Sequence, residues 1–277
     1  MSSAVVSTSA AQGRPFVFAV ETEQVAEGHP PQRVMPGAFQ DARLAGVTPA
    51  SRLAVRPVPE MVSSGIAAMD ELTGGLPRGC LTEVCGPASS GRTTLLLSAL
   101  AAATRRGEFC VLVDASDALD PQSAAAAGVK LDRLLWVRCG ESSPQKCLEQ
   151  LLRATDLLLE SGGFGLIALD LGDLPPQMAR RIPLTTWFRF RRAVEHAPTV
   201  LLAIERQSIA GSCSSLLIKL GSIKLGRDDR PAQSEAPTHT QLLTEMEITA
   251  EMVRSRLDRK PVRPAEITFA SKTAWAG

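Results

Sequence analysis

The stretch whose reading decides the fold is Gly86-Pro87-Ala88-Ser89-Ser90-Gly91-Arg92-Thr93-Thr94. It follows a short apolar run over 81–85 and opens a helical one over 93–106. The pattern G-x-x-x-x-G, then a cation, then Thr, supplies what a phosphate chain requires. Glycines let backbone N–H groups curl around oxygens, a helix N-terminus favours negative charge, and a cation and a hydroxyl complete the site, the hydroxyl being suited to magnesium. Arg92 stands where lysine is usual. It is a longer planar fork and cannot place a compact ammonium between two phosphates. The spacing therefore predicts a nucleotide site over 86–94 in which binding outlasts hydrolysis. A glycine-rich turn without a ligand is the alternative reading.

Working outward from this loop, short apolar runs alternate with helical stretches from residue 65 to about 225. That alternation predicts an α/β fold with a mainly parallel sheet and crossover helices. Strands are expected at 81–85, 109–113, 134–137, 164–169 and 199–204, and helices at 93–106, 121–128, 144–160 and 184–196. In the third helix Leu148, Leu151, Leu152, Thr155, Leu158 and Leu159 recur at helical spacing, which marks a buried stripe and no chemistry. The run Gly165-Leu166-Ile167-Ala168-Leu169-Asp170 brings a carboxylate to a strand's C-terminal end. There Asp170 is expected to hold magnesium opposite Thr93.

The core is expected over 61–227. Before it, 1–60 is rich in proline (Pro15, Pro30, Pro31, Pro36, Pro49, Pro57, Pro59) and poor in periodicity, and reads as a flexible N-terminal arm. Residues 228–240 read as an exposed linker. Beyond it, 241–277 reads as a short C-terminal β extension, with strands at 246–253 and 265–269 placed to lengthen the sheet at its far edge.

Charge and composition narrow the function. With 30 Lys+Arg against 29 Asp+Glu, the net charge of +1 argues against a protein that coats nucleic acid electrostatically. Aromatics make up 4% and Tyr is missing, which argues against a base-stacking platform. The six cysteines form no C-x-x-C pair and the three histidines lie far apart, so neither a disulfide frame nor a zinc site is expected. The N-terminus lacks a basic patch followed by an apolar stretch, and the longest apolar run is half a membrane span. A cytoplasmic location is the expectation.

The positive charge is concentrated in one place. Arg180, Arg181, Arg189, Arg191 and Arg192 cluster around Trp187, Phe188 and Phe190. One reading is a patch for DNA phosphates or an acidic partner, with Trp187 as anchor. The other is an amphipathic crossover helix whose aromatics face the sheet and whose arginines face water.

The chain resembles the RecA family over roughly residues 61–270. The resemblance rests on Ser64-Gly65 with Met69-Asp70, on Gly74-Gly75-Leu76-Pro77-Arg78-Gly79, on Glu83, and on the phosphate loop. It rests also on Asp114-Ala115-Ser116-Asp117-Ala118-Leu119-Asp120-Pro121, which is similar to a RecA segment reading D-A-E-x-A-L-D-P. The resemblance implies a RecA-like P-loop core, ATP or ADP with Mg2+, and a role in DNA repair. Within the superfamily the Gly-Leu-Pro-Arg-Gly-x-Leu-Thr-Glu opening and the arginine-rich helix are most similar to ImuA-type proteins, accessory factors of SOS translesion synthesis. That implies contact with RecA filaments or self-association, with an ImuB-like polymerase-family protein and with an error-prone polymerase.

Departures from the pattern carry equal weight. The D-A-E carboxylate that positions water in RecA proteins is Ser116 here, whose neutral hydroxyl cannot polarise water as a carboxylate does. The two DNA loops are reduced to 174–183 and 207–215, and Glu205-Arg206-Gln207 stands where RecA proteins have Asn-Gln. Arg254-Ser255-Arg256 resembles the K-x-K that RecA subunits extend toward a neighbour's phosphates; two solvated edge-strand arginines are the alternative. An accessory protein with weak or no hydrolysis is the expected function. An active DNA-dependent ATPase and recombinase, and a nucleotide-free scaffold, are the competing readings.

Overall fold

The computed structural model describes residues 58–139, 143–226, 245–257 and 266–272. The expected arm, except for 58–60, and the expected linker lie outside the described residues. A two-residue strand β1 (Met61–Val62) pairs antiparallel with β2 (Leu76–Pro77) around helix α1 (Ala67–Thr73). Gly74 ends α1 in the left-handed conformation, φ 78°, which glycine adopts without penalty. Then follow β3 (Cys80–Cys85), α2 (Arg92–Arg105), β4 (Cys110–Asp114), α3 (Pro121–Ala126), β5 (Leu134–Arg138), α4 (Pro144–Ser161) and β6 (Leu166–Asp170). The chain continues through α5 (Pro176–Ala179), α6 (Leu184–Val194), β7 (Val200–Glu205), β8 (Leu216–Gly226), β9 (Glu245–Ser255) and β10 (Glu266–Lys272).

Eight strands form one sheet in the order β10-β9-β8-β3-β7-β6-β4-β5. The six from β8 to β5 are parallel, and β9 and β10 join antiparallel at the edge. The central strands read as unbroken apolar runs because helices cover both faces. On one face Val84, Leu112, Ala168, Leu202 and Ile204 pack with Leu95, Leu96, Ala99 and Leu100 of α2. On the other, Val111, Val113, Ile167, Leu169 and Leu201 pack with Leu148 and Leu151 of α4 and with Trp187, Phe190 and Val194 of α6. Each fully buried leucine contributes roughly 1.5–3 kcal/mol to folding.

The expected β extension is part of the same sheet, and the reason lies in β8. That strand runs for eleven residues, past the end of β3, so that its second half has β9 as partner. Irregularities between Leu217 and Ile218 and between Leu220 and Ile223 bend the pair.

Candidate functional site

Parallel strands point their C-terminal ends one way, and β3, β4, β6 and β7 deliver the site's residues there. Residues 86–91 leave β3 and return as α2. Gly86 has no room for a side chain, since a Cβ would meet the Leu220 carbonyl oxygen at 2.9 Å and the Ser90 hydroxyl. Gly91 caps α2 at φ +88°, with Ile248 of β9 against its Cα. Ser89 also has positive φ, at 57°, so the loop curls as a phosphate cradle must. Ser90 is buried and its hydroxyl has no hydrogen-bond partner. Pro87, Ala88, Ser89 and Thr93 are exposed, and Thr94 is half-buried in the first turn of α2. A cradle closed to any Cβ, an orphaned buried hydroxyl and an exposed threonine fit a phosphate chain with its cation.

Arg92 does not lie open to solvent. It is 9% exposed, and its Nη1 donates to the Gly172 carbonyl at 3.0 Å. A cavity of about 90 Å³ adjoins it, lined by Thr93, Asp114, Leu119, Asp170, Gly172 and Asp173 among others. The structure thus brings Thr93 and Asp170 to one cavity, as a shared cation would require. Burial pushes the Asp170 carboxyl up to about 6; Asp114 and Asp173 reinforce the shift, and the Gly172 N–H and Arg92 oppose it. Asp170 Oδ1 accepts the Gly172 N–H at 2.9 Å. Asp114 serves the frame: it accepts from the N–H groups of Ser116 (3.1 Å) and Leu119 (3.0 Å) and from Trp136 Nε1 (3.2 Å).

Ser116 is exposed at the tip of the turn after β4. Its neighbour Asp117, at φ 54°, is held by Arg138 through two hydrogen bonds of 2.6 and 2.5 Å. Those bonds lower the Asp117 pKa and spend its carboxylate away from the cavity. Asp120 caps α3 by accepting from Ser123 N at 2.9 Å, with Pro121 in the first turn.

The connection after β7 is closed by the protein itself. Glu83, wholly buried in β3, accepts from the N–H groups of Ile209 (2.6 Å) and Ala210 (3.0 Å) and from the Ser214 hydroxyl (3.1 Å). Beside it Glu205 is buried and also accepts from Ile209 N at 3.2 Å. Burial and the adjacent Glu83 raise the Glu205 pKa well above the usual carboxylate range. Arg254 completes the knot, donating to the Gly211 carbonyl and Ser214 Oγ at 2.5 Å each, with Glu83 Oε2 at 4.0 Å.

Residues 52–178 match the model of the RecA N-terminal domain. Over those residues the chain is similar to the RecA family. It is 44% identical over 113 residues to Protein RecA of Ectopseudomonas oleovorans, covering 40% of this chain and 31% of that one. Protein RecA of Borrelia hermsii is 41% identical over 121 residues, 43% of this chain and 32% of the relative. Protein RecA of Salinispora tropica is 46% identical over 123 residues, 43% of this chain and 34% of the relative. Each match spans about a third of the relative's length.

Two groups of expected residues lie apart from the phosphate loop. Arg254 and Arg256 sit at the start of β8, since Ser255 pairs with Leu216 and Leu216 with Thr82 at the beginning of β3. They are at the opposite end of the sheet from residues 86–91 of the same chain. In the basic patch one correction is needed. Trp187 is fully buried, edge-on to Phe190 with ring centroids 6.0 Å apart, because 187, 190 and 194 share the face of α6 that meets the sheet. It is not a surface anchor; Phe188, 47% exposed, is the aromatic that faces out. Arg180 Nη2 donates to Gln207 Oε1, and Arg189 grips Asp156 of α4 at 2.8 and 2.7 Å. Arg181 and Arg192 are exposed and Arg191 is half-buried. Arg191 and Arg256 meet in a groove of about 530 Å³ with Arg78 and His196, which joins two arginine groups far apart in sequence.

Residues that sequence reading did not place in the site are Gly172, Asp173 and Arg206. Arg206 Nε donates to the same Gly172 oxygen at 2.8 Å, and its Nη2 is 3.6 Å from Asp173. The available signal was positional: Arg206 follows β7, which lies between β3 and β6.

Proposed function

We propose that this protein binds a nucleoside triphosphate or diphosphate with Mg2+ and turns it over weakly or not at all, acting in bacterial DNA repair as an accessory relative of RecA. Residues 86–94 hold the phosphates, and Thr93 and Asp170 hold the cation. The bound cation would screen phosphate charge; Asp170 must lose its proton to take it. The observation that carries the reading is the position of Arg92: the loop keeps the backbone shape of a phosphate cradle, while its only cation is drawn onto the Gly172 carbonyl. Exposed Ser116 and the Arg138-bound Asp117 leave the water-positioning place without an available carboxylate. In RecA-like NTPases that group and the phosphate-loop lysine are what phosphoryl transfer most needs.

On its resemblance to ImuA-type proteins, the role we propose is in SOS translesion synthesis, in the cytoplasm, beside an ImuB-like protein and an error-prone polymerase, and in contact with RecA filaments or copies of itself. Arg180, Arg181, Arg189, Arg191 and Arg192 are the proposed face for a partner or a weak DNA contact. Arg254 and Arg256 are the proposed cations for a neighbour's phosphates, with Arg256 the more accessible of the two. No helix among the described residues is long and apolar enough to cross a membrane.

The match to proteins named RecA favours a second reading, an active ATP-dependent recombinase. Thermal melting with and without ATP and ADP, beside ATP turnover, separates the two. Nucleotide-dependent stabilisation without turnover is expected; turnover at a rate ordinary for an ATPase overturns the proposal.

A further inference from the structure

Two buried carboxyl groups, Glu83 and Glu205, meet under the connection after β7, and nucleotide binding uses neither. β3 pairs Glu83 with Ala203 of β7, so Glu205, two residues on, shares its face of the sheet. Glu83 is surrounded by donors: the Ile209 and Ala210 N–H groups on Oε1, the Ser214 hydroxyl on Oε2, and Arg254 Nη2 at 4.0 Å. That set suits an ionised carboxylate, which only accepts. Glu205 Oε2 accepts the Ile209 N–H at 3.2 Å, so both carboxyls hold one amide. Its Oε1 receives no hydrogen bond from an N–H or hydroxyl, and its neighbour is the Glu83 carboxyl, to which Glu205 is hydrogen-bonded. Two carboxyls can bond to each other only through a proton that one of them carries. Oε1 is satisfied as the O–H of a neutral acid donating to Glu83.

The charged and titratable groups around the pair leave that proton in place. Arg254 of β9 directs its Nη2 to the Gly211 carbonyl and the Ser214 hydroxyl, on the Glu83 side. Arg180 donates to Gln207 and Arg206 to the Gly172 carbonyl, around a small cavity that Glu205 also lines. Lys219 of β8, opposite Cys85, is exposed. Cys85 and Cys213 contribute buried thiols; burial, then Glu83 and Glu205, pushes Cys85 up to about 11. Without the proton, two negative charges would face each other out of water around a single amide, an arrangement relieved when the loop leaves and water enters.

We infer that one proton shared by Glu83 and Glu205 latches residues 206–214 onto the sheet, and that its loss as the pH rises lets the loop open. No group of the phosphate loop or the cation site takes part, so the latch works with or without nucleotide. In the closed loop Glu205 is neutral, whereas in the open loop it meets water and ionises as an ordinary glutamate, at about 4.3. Closure is therefore complete below that value. Above it the opening constant grows by about tenfold per pH unit, until the closed form itself loses the proton.

The test is amide hydrogen exchange of the full chain, read by mass spectrometry on peptides covering 206–214, for wild type and Glu205→Gln between about pH 5 and about pH 7. Glutamine can still donate to Glu83 but cannot ionise. After correction for base catalysis of exchange itself, opening in wild type is expected to rise about tenfold per pH unit, while Glu205→Gln stays within about twofold across the range. Peptides from β3 and β7 should remain protected in both. Parallel profiles for the two proteins, or a loop already open in Glu205→Gln at the acid end, overturn the inference. Should the variant fail to fold, infrared spectra of wild type decide. A neutral-acid carbonyl band persisting above about pH 7, where Asp170 at about 6 is ionised, supports the latch, and its absence overturns it.

Discussion

Two loops leave neighbouring parallel strands at the same end of the sheet and have opposite characters. After β3, residues 86–91 keep a curled backbone, a buried hydroxyl without partner, and glycines that hold space open. After β7, residues 206–214 are drawn inward, their amides taken by Glu83 and Glu205 and their Ser214 and Gly211 by Arg254. A loop that binds phosphate must leave donors for the ligand, whereas a loop whose donors are spent on buried carboxylates is part of the frame. The contrast supports a protein that retains nucleotide recognition and has lost the mobile element through which a RecA relative would answer DNA.

The largest effect is expected from opening the closed loop. Glu83→Ala removes an acceptor from two amides, a hydroxyl and a nearby arginine, all at least partly buried, and should cost about 3–5 kcal/mol in chemical denaturation. Limited proteolysis should then cut between 206 and 215. A loss under about 1 kcal/mol would mean that the loop does not depend on Glu83.

Next in size is the acid at the open loop. Asp170 titrates at about 6 in the fold, above an unfolded carboxylate, so its stabilising contribution is complete at low pH and is lost as pH rises through 6. Asp170→Asn should therefore raise stability without nucleotide by about 2 kcal/mol near pH 7.5, an advantage that shrinks toward pH 5. The same variant should lose magnesium-dependent nucleotide binding, which in wild type weakens below about pH 6 as Asp170 takes up its proton. Equal stabilities at both pH values would place the burial cost elsewhere.

How far the sequence reveals this contrast depends on the range of the interactions. The parallel strands and crossover helices were legible to within two or three residues at most ends, because burial on both faces leaves unbroken apolar runs. The phosphate loop was legible because its glycines and helix start are contiguous. β8 was not among the expected strands; its extension past β3 is decided by β9, which lies beyond a segment with no pattern. Trp187 was grouped with its arginine neighbours, although its spacing to Phe190 and Val194 already describes an inward face. The Glu83–Glu205–Arg254 knot and the shared Gly172 oxygen join residues from strands distant in sequence, and no local period encodes them.

An effect on turnover rather than on stability comes from repairing the open loop alone. Arg92→Lys with Ser116→Glu restores a compact cation and a water-positioning carboxylate, and should raise basal ATP turnover by on the order of a hundredfold. Single-stranded DNA should add nothing to that rate while the loop after β7 stays closed. Stimulation of the double variant by DNA would show that the second loop opens after all.

The smallest effect on stability should follow charge reversal of Arg189, Arg191 and Arg192, under about 1 kcal/mol in total since the Arg189–Asp156 pair is on the surface. Binding to single-stranded DNA or to a RecA filament should nonetheless fall. If pull-down of both is unchanged, the arginine face of α6 is only a solvated surface.

The central claim is that nucleotide recognition has been kept without DNA-coupled turnover. Its most direct test is phosphate release from ATP by the wild-type chain, with and without single-stranded DNA, beside ATP-induced thermal stabilisation of the same sample. Clear stabilisation with a flat, DNA-independent release trace is the expected result. Release that accelerates when DNA is added would contradict the account.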